Sequence, residues 1–124
     1  MKQTLGKQER LKSKTLIGKL YTEGNSVKSF PLRMVYIQAE HGSNYPAQVG
    51  VSVPKRNFKK AVSRNRIKRL LRETYRKQKE LVYNSIDKPY VFMISYIGKE
   101  EFSYKELEAK MEKLLKAFVE KINQ

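Results

Sequence analysis

The stretch between residues 55 and 79 most strongly restricts the folds that this chain can adopt, because it carries twelve Lys and Arg side chains and a single acidic residue, Glu73. Charges of one sign cannot be buried together without partners. A helix in this stretch can therefore bury only a narrow apolar stripe. The apolar residues of this helix are Val62, Ile67, Leu70, Leu71 and Tyr75, and the last four fall within one arc at helical spacing. They predict a helix over residues 58–79 that packs along one side and presents a basic face on the other.

The basic face is predicted to hold Arg64, Asn65, Lys68, Arg69, Arg72 and Arg76, with Arg66 toward its flank. Arginine can clamp phosphate oxygens through two parallel hydrogen bonds, and an asparagine can contact a base edge, a sugar or a phosphate. Glu73 is expected to orient Arg69 and Arg76 at helical spacing. The whole chain has a net charge of +15 and a pI near 10.0, which indicates a polyanionic partner such as nucleic acid.

Several classes of function are disfavoured by what the composition lacks. A chain of 124 residues is expected to form one domain, and without cysteine it has no disulfide, thiolate metal site or cysteine nucleophile. His41 is the only histidine, and its turn-like surroundings favour a solvated or locally bonded side chain. No glycine-rich nucleotide motif, secretory signal or membrane-length apolar run is present, so a soluble cytoplasmic protein without membrane contact is expected.

The remaining patterns predict an α+β domain over residues 1–124. Residues 1–12 are polar and expected to be flexible. Ser13 is predicted to cap a first helix that ends at a left-handed Gly24, and Ser103 with Glu106 forms the capping box of a last helix. The predicted order is a helix over 14–23, strands over 30–38 and 49–53, the basic helix, a strand over 90–97 and the last helix, with room for one more strand near the first.

The run KAVSRNRIKRLLRE, residues 60–73, resembles the RNR signature of the bacterial ribonuclease P protein family. The resemblance extends over nearly the whole chain. Arg10-Leu11 before a short helix is similar to the opening of that family, and VGVSV at 49–53 followed by Lys55-Arg56 is similar to its strand before the signature helix. The late apolar strand and amphipathic helix are similar to its end.

This resemblance implies a single-domain α/β sandwich with a central mixed sheet, about three helices and an unusual left-handed βαβ crossover around the signature helix. General chirality rules would argue against that hand. In the family, a large RNA subunit holds Mg²⁺ and cleaves precursor tRNA, while the protein subunit binds the catalytic RNA and the 5′ leader of the substrate. The resemblance implies no metal bound by the protein alone and no obligate protein partner.

The family's functional positions can be carried over to this chain. The positions expected to contact the catalytic RNA are Lys55, Arg56, Lys60, Arg64, Asn65, Arg66, Lys68, Arg69 and Arg72. Those expected to contact the leader, in a cleft between the first helix and the sheet, are Ile17, Tyr21, Tyr36 and Ser52. Ile17 stands where the family usually has Phe, and Val35 is the alternative to Tyr36 in the first strand. Core packing is the competing interpretation of both tyrosines.

Two other functions are compatible with the charge. A general RNA-binding or ribosomal-type protein would need the basic helix but have no role in cleavage. A DNA-binding protein would place that helix in a major groove, although no partner helix is spaced for a helix-turn-helix. The signature and the cleft distinguish these alternatives from the family interpretation, and the charge does not.

Overall fold

The computed structural model describes residues 5–124 and has a four-stranded sheet flanked by helices. A short 3₁₀ turn, Lys7–Glu9, precedes the first helix. The four helices are α1 (Lys14–Glu23), α2 (Ala61–Gln78), α3 (Glu80–Tyr83) and α4 (Tyr104–Ile122), and the strands are β1 (Asn25–Ser29), β2 (Leu32–Gln38), β3 (Ala47–Ser52) and β4 (Tyr90–Tyr96).

The sheet is mixed, as predicted. Its strand order is β1-β2-β4-β3; β2 pairs antiparallel with β1 and β4, and β3 pairs parallel with β4. Because β3 and β4 are parallel neighbours, the chain must cross over between them, and α2 and α3 form that crossover. The α+β class is confirmed. The left-handed sense of the crossover stays an expectation from the resemblance.

The two faces of the sheet are covered unequally. On one face, α2, α3 and α4 enclose the main core, in which Ile67 and Leu71 of α2 meet Phe92 of β4 and Phe118 of α4. On the other face, α1 covers a smaller cluster formed by Leu11, Leu20, Val35, Val91 and Met93. Alternation of side chains along each strand separates these two sets, so neighbouring residues serve different layers.

Several local predictions need correction. The first strand region is a hairpin of β1 and β2 with a cis peptide bond between Phe30 and Pro31, and α3 adds a fourth helix. Gly24 is extended, with φ −75° and ψ 158°, so it is not a left-handed cap. Glycine is needed there because a Cβ atom would lie 2.3 Å from the Leu20 carbonyl oxygen. Val62, which lies outside the predicted arc, is 69% exposed on the solvent side of α2.

The N-terminal segment, residues 5–12, is packed rather than frayed; residues 1–4 lie outside the described part of the chain. Glu9 is 2% exposed, and its carboxylate accepts hydrogen bonds from the Lys79 ammonium at 3.1 and 2.9 Å and from the Tyr83 hydroxyl. The Leu11 amide donates to the Val49 carbonyl at 2.9 Å, along the edge strand β3. A long-range ion pair thus orders a segment whose local composition is polar.

Glu9→Gln is expected to lower the free energy of unfolding by about 3 kcal/mol at neutral pH, since it leaves the buried Lys79 without its counter-charge. Burial raises the pKa of Glu9, but the hydrogen bonds from Lys79 and Tyr83 outweigh it, so the pKa lies below its ordinary value of 4.5. The stabilisation is therefore complete above about pH 4.5 and is lost as the pH falls through the lower folded-state pKa.

Urea unfolding of the wild type and the Glu9→Gln variant between about pH 7 and pH 3 tests this expectation, and the difference should shrink toward the acid end. The control is Glu112→Gln, which removes the same charge from an exposed pair with Lys116, at 3.4 Å. It should change stability by less than about 1 kcal/mol. A pH-independent difference for Glu9→Gln would contradict the assignment.

Candidate nucleic-acid interface

The side of α2 that faces away from the core carries the predicted basic row. Ile67, Leu71 and Tyr75 are buried on the inner side, which follows from their spacing of four residues along the helix. Successive turns of the outer side therefore present a polar and charged row: Asn65, Lys68, Arg69, Arg72 and Arg76. The first turn of α2 contains no acidic residue, so the positive end of the helix adds to the charge of this row.

These side chains line a groove of about 560 Å³, which also receives Leu5, Arg10 and Glu73. Arg10 comes from the N-terminal segment, beside Arg72. Burial, together with the charge of Arg10, lowers the pKa of Arg72. Glu73 hydrogen-bonds Arg76 and has its own pKa lowered by that contact, so one of the cations is partly neutralised. The expected role of Glu73 in orienting Arg76 agrees with this pair.

Two cations of the groove, Arg10 and Arg76, are absent from the set of residues predicted to bind RNA. Arg76 belongs to the predicted basic face by its helical spacing, which is the signal that identifies it. Arg10 has no such signal, because it lies far from α2 in sequence and reaches the groove through the pairing of the N-terminal segment with β3. We name the set Arg10, Asn65, Lys68, Arg69, Arg72 and Arg76 the basic groove.

Arg64 and Arg66 of the signature lie apart from the basic groove. The Arg64 guanidinium turns back and donates to the carbonyl oxygens of Phe58 and Lys59, each at 2.8 Å. The prediction that Arg64 lies on the outward face is therefore wrong: Arg64 is three residues before Ile67 and seven before Leu71, at the edge of the buried stripe. Arg66 lies on the flank, as expected, and pairs with Glu101 at 2.9 Å.

The other predicted cations precede α2. Lys55, Arg56 and Lys60 are exposed in the connection from β3, and Lys60 is the N-cap residue, with no capping hydrogen bond from its side chain. The contacts of Arg64 with Phe58 and Lys59 hold this connection against the helix. The three cations are thus presented next to the first turn of α2, and their contact with RNA stays a prediction.

The second predicted site lies on the face of the sheet under α1. Ile17 packs at the border of the small cluster, and Tyr21, one turn later, is 56% exposed, which argues against core packing. Ser52 of β3 is half-buried on the same face, where its hydroxyl lies 2.8 Å from that of Ser95. Glycine at position 50 makes room for the Met93 side chain, since a Cβ atom there would lie 2.8 Å from Met93 Cε.

Tyr36 does not belong to this second site. It is 5% exposed and packs in the main core, with its ring centroid 4.8 Å from that of Phe118. Val35, the alternative position, faces α1 instead. The composition of the strand left its register open by one residue, and a shift of one residue exchanges the faces.

Among residues 5–124, no group of three or more His, Asp or Glu side chains could hold a metal ion. In the same part of the chain no helix is long and apolar enough to cross a membrane.

A small, basic α+β chain that concentrates cations along one helix is typical of nucleic-acid-binding proteins. Within that class, the model of the family described as Ribonuclease P matches residues 5–119. The chain therefore belongs to the ribonuclease P protein family.

Relatives and solved structures agree with this membership. The chain is 39% identical over 89 residues to a protein named Ribonuclease P protein component from Porphyromonas gingivalis; the match covers 71% of this chain and 64% of that protein. A protein of the same name from Borreliella burgdorferi is 34% identical, with 85% of each chain covered. The RNase P protein of Staphylococcus aureus has the same fold, with a TM-score of 0.71, 22% identity and coverage of 88% of this chain and 94% of that one.

Arg64→Ala is expected to lower the free energy of unfolding by about 1–2 kcal/mol, because two carbonyl oxygens lose a charged donor. Arg69→Ala, on the exposed side of the same helix, should change it by less than about 0.5 kcal/mol. Urea unfolding of both variants makes the comparison. Equal stability of the two variants would mean that Arg64 does not hold the connection before α2.

Proposed function

We propose that this chain is the protein subunit of ribonuclease P, which binds the catalytic RNA and the 5′ leader of precursor tRNA and so promotes removal of the leader. The observation that carries the proposal is the basic groove, in a chain that belongs to this family. The RNA subunit, which holds Mg²⁺, would supply the chemistry of phosphodiester hydrolysis. The protein residues would bind and orient the two RNAs.

The basic groove suits the backbone of a structured RNA. Five cations and one carboxylate line the groove, and that carboxylate, of Glu73, already forms an ion pair with Arg76. Arg69 and Arg72, one turn apart on exposed positions, can each donate two hydrogen bonds to phosphate oxygens. Contacts of this kind position an RNA but read little of its sequence, and they make affinity fall steeply with salt.

The face under α1 suits an unpaired strand. Tyr21 offers an exposed aromatic ring for stacking, and Ile17 offers an apolar contact in place of a second ring. The small side chains of Ser52 and Ser95 let a backbone approach the sheet, and their hydroxyls can donate to it or accept from it. A 5′ leader is single-stranded and matches these requirements.

The test of the proposal is single-turnover cleavage of a precursor tRNA by the cognate catalytic RNA at low Mg²⁺, with and without the protein. Strong stimulation of 5′ cleavage is expected. No stimulation by the folded protein would overturn the proposal and favour the general RNA-binding alternative. Tighter binding to duplex DNA than to precursor tRNA would favour the DNA-binding alternative.

The double variant Arg69→Ala/Arg72→Ala is expected to weaken binding of the catalytic RNA by about 10- to 100-fold, since two charge-assisted contacts are lost. The slope of log affinity against log salt should fall by about two. The matched control, Lys105→Ala/Lys113→Ala, removes the same charge from exposed positions on α4. Filter binding at several salt concentrations separates the two; an equal loss in the control would assign the effect to net charge alone.

Tyr21→Ala is expected to weaken binding of precursor tRNA to the assembled enzyme by about 5- to 100-fold, the effect of one lost stacking contact. Binding of mature tRNA, which has no leader, should not change. Tyr21→Phe keeps the ring and should bind as the wild type does. Equal losses for precursor and mature tRNA would remove Tyr21 from the leader site.

A further inference from the structure

We propose that Glu9 and Lys79 are positioning residues for RNA binding: their buried ion pair holds the N-terminal segment so that Arg10 completes the basic groove. The inference rests on the proposed function, and it assigns to two side chains that lie outside the groove a part in the affinity for RNA. It also adds Arg10 to the RNA-binding residues.

The ion pair fixes the N-terminal segment through several buried contacts. Glu9 is 2% exposed and Lys79 is 6% exposed, and the ammonium contacts both carboxylate oxygens. The Tyr83 hydroxyl donates to one of these oxygens, and the Gly6 amide donates to the other at 3.2 Å. The carboxylate therefore has four donor contacts, from the segment itself and from residues at the end of α2 and in α3. Such a site is specific for one geometry of the segment.

Because Arg10 is the next residue along the backbone, the anchored position of Glu9 also fixes the position of Arg10. The Arg10 amide donates to the Lys7 carbonyl at 3.2 Å, and Arg10 forms an isolated parallel bridge with Val49. The Gln48 side chain donates to the Gln8 carbonyl at 3.0 Å. With Glu9 held on one side and β3 on the other, Arg10 lies in the groove beside Arg72.

Arg10 needs such an anchor because its neighbours repel it. Lys68, Arg69 and Arg72 line the same groove, and before RNA binds no carboxylate of the groove other than Glu73 offsets them. Like charges at this proximity favour displacement of the segment into solvent. An ordered Arg10 in the free protein lowers the entropy cost of binding, which is the general advantage of a preorganised site.

The experiment measures the affinity of the cognate catalytic RNA for the wild type, Glu9→Gln, Arg10→Ala and the double variant, at several salt concentrations and at a temperature where circular dichroism shows each protein folded. Glu9→Gln removes a negative charge, so on net charge alone it should bind RNA more tightly. We expect the opposite, a loss of about 5- to 20-fold, and a similar loss for Arg10→Ala. The double variant should lose no more than about twofold beyond Arg10→Ala.

Two further variants provide a charge control and a second, milder perturbation of the ion pair. Glu112→Gln makes the same change in net charge at an exposed pair on α4 and should bind as tightly as the wild type or slightly more tightly. Tyr83→Phe removes the hydroxyl contact with Glu9 and keeps the ring that the Lys79 ammonium faces; it should weaken RNA binding mildly, and this effect should vanish in the Arg10→Ala background. Tyr83→Phe therefore tests the anchor even where Glu9→Gln does not fold.

Unchanged or tighter binding by Glu9→Gln, or losses that multiply in the double variant, would overturn the inference. The same proteins are also titrated with inorganic tripolyphosphate, a small polyanion that tests the groove alone. If the wild type bound tripolyphosphate but not the catalytic RNA, the proposed function would fail. The coupling between Glu9 and Arg10 in the tripolyphosphate titration would then decide the role of the ion pair.

Discussion

The charge repulsion along α2 has to be balanced by the apolar stripe on the opposite side of the same helix. Ile67, Leu71 and Tyr75 are each about 1% exposed or less, and they seat the helix on the sheet through Phe92 and the α4 residue Phe118. Burial of such side chains contributes about 2 kcal/mol each, which exceeds what screened repulsion between exposed charges removes. The outer row can then hold its cations at fixed spacing. The crossover between β3 and β4 depends on this helix.

A second constraint acts at the end of α2, where the chain buries a charge. Lys79 would be costly in the core by itself, and Glu9 would be equally costly. Together with Tyr83 they satisfy each other, and the pair connects residues that are 70 positions apart in sequence. A buried ion pair is weak evidence for net stability, since apolar residues often do as well in its place. The basic groove depends on the geometry of this ion pair, because the pair fixes the position of Arg10, the residue next to Glu9.

The two faces of the sheet support surfaces of different character. The face under α2 and α4 is filled by large apolar side chains, and it supports the basic groove from behind. The face under α1 is only partly covered: Ser52 on this face is half-buried, and Tyr21 of α1 is exposed. One four-stranded sheet thus supports a charged surface on one side and, on the other, a partly covered surface with an exposed aromatic ring.

Much of this architecture was predictable from the chain alone. The stripe of α2, the capping box of Ser103 with Glu106 and the N-cap at Ser13 are local patterns, and each is confirmed. The concentration of charge and the signature identify the family and the outer row of α2. Helical periodicity and capping depend on residues within a few positions of one another, so a sequence displays them directly.

The tertiary structure decided the features that depend on distant residues. The face occupied by Tyr36 follows from its pairing with β4, and the fold of Arg64 onto Phe58 and Lys59 follows from the path of the chain before α2. The order of residues 5–12 depends on Lys79 and Val49, which no local pattern links to Glu9 or Leu11. The sequence by itself determined most of the helices and strands and where the charge is carried, but not the β1–β2 hairpin or α3. Only the packing of those elements decided which charges share a groove, because that depends on strand register and buried contacts between remote segments.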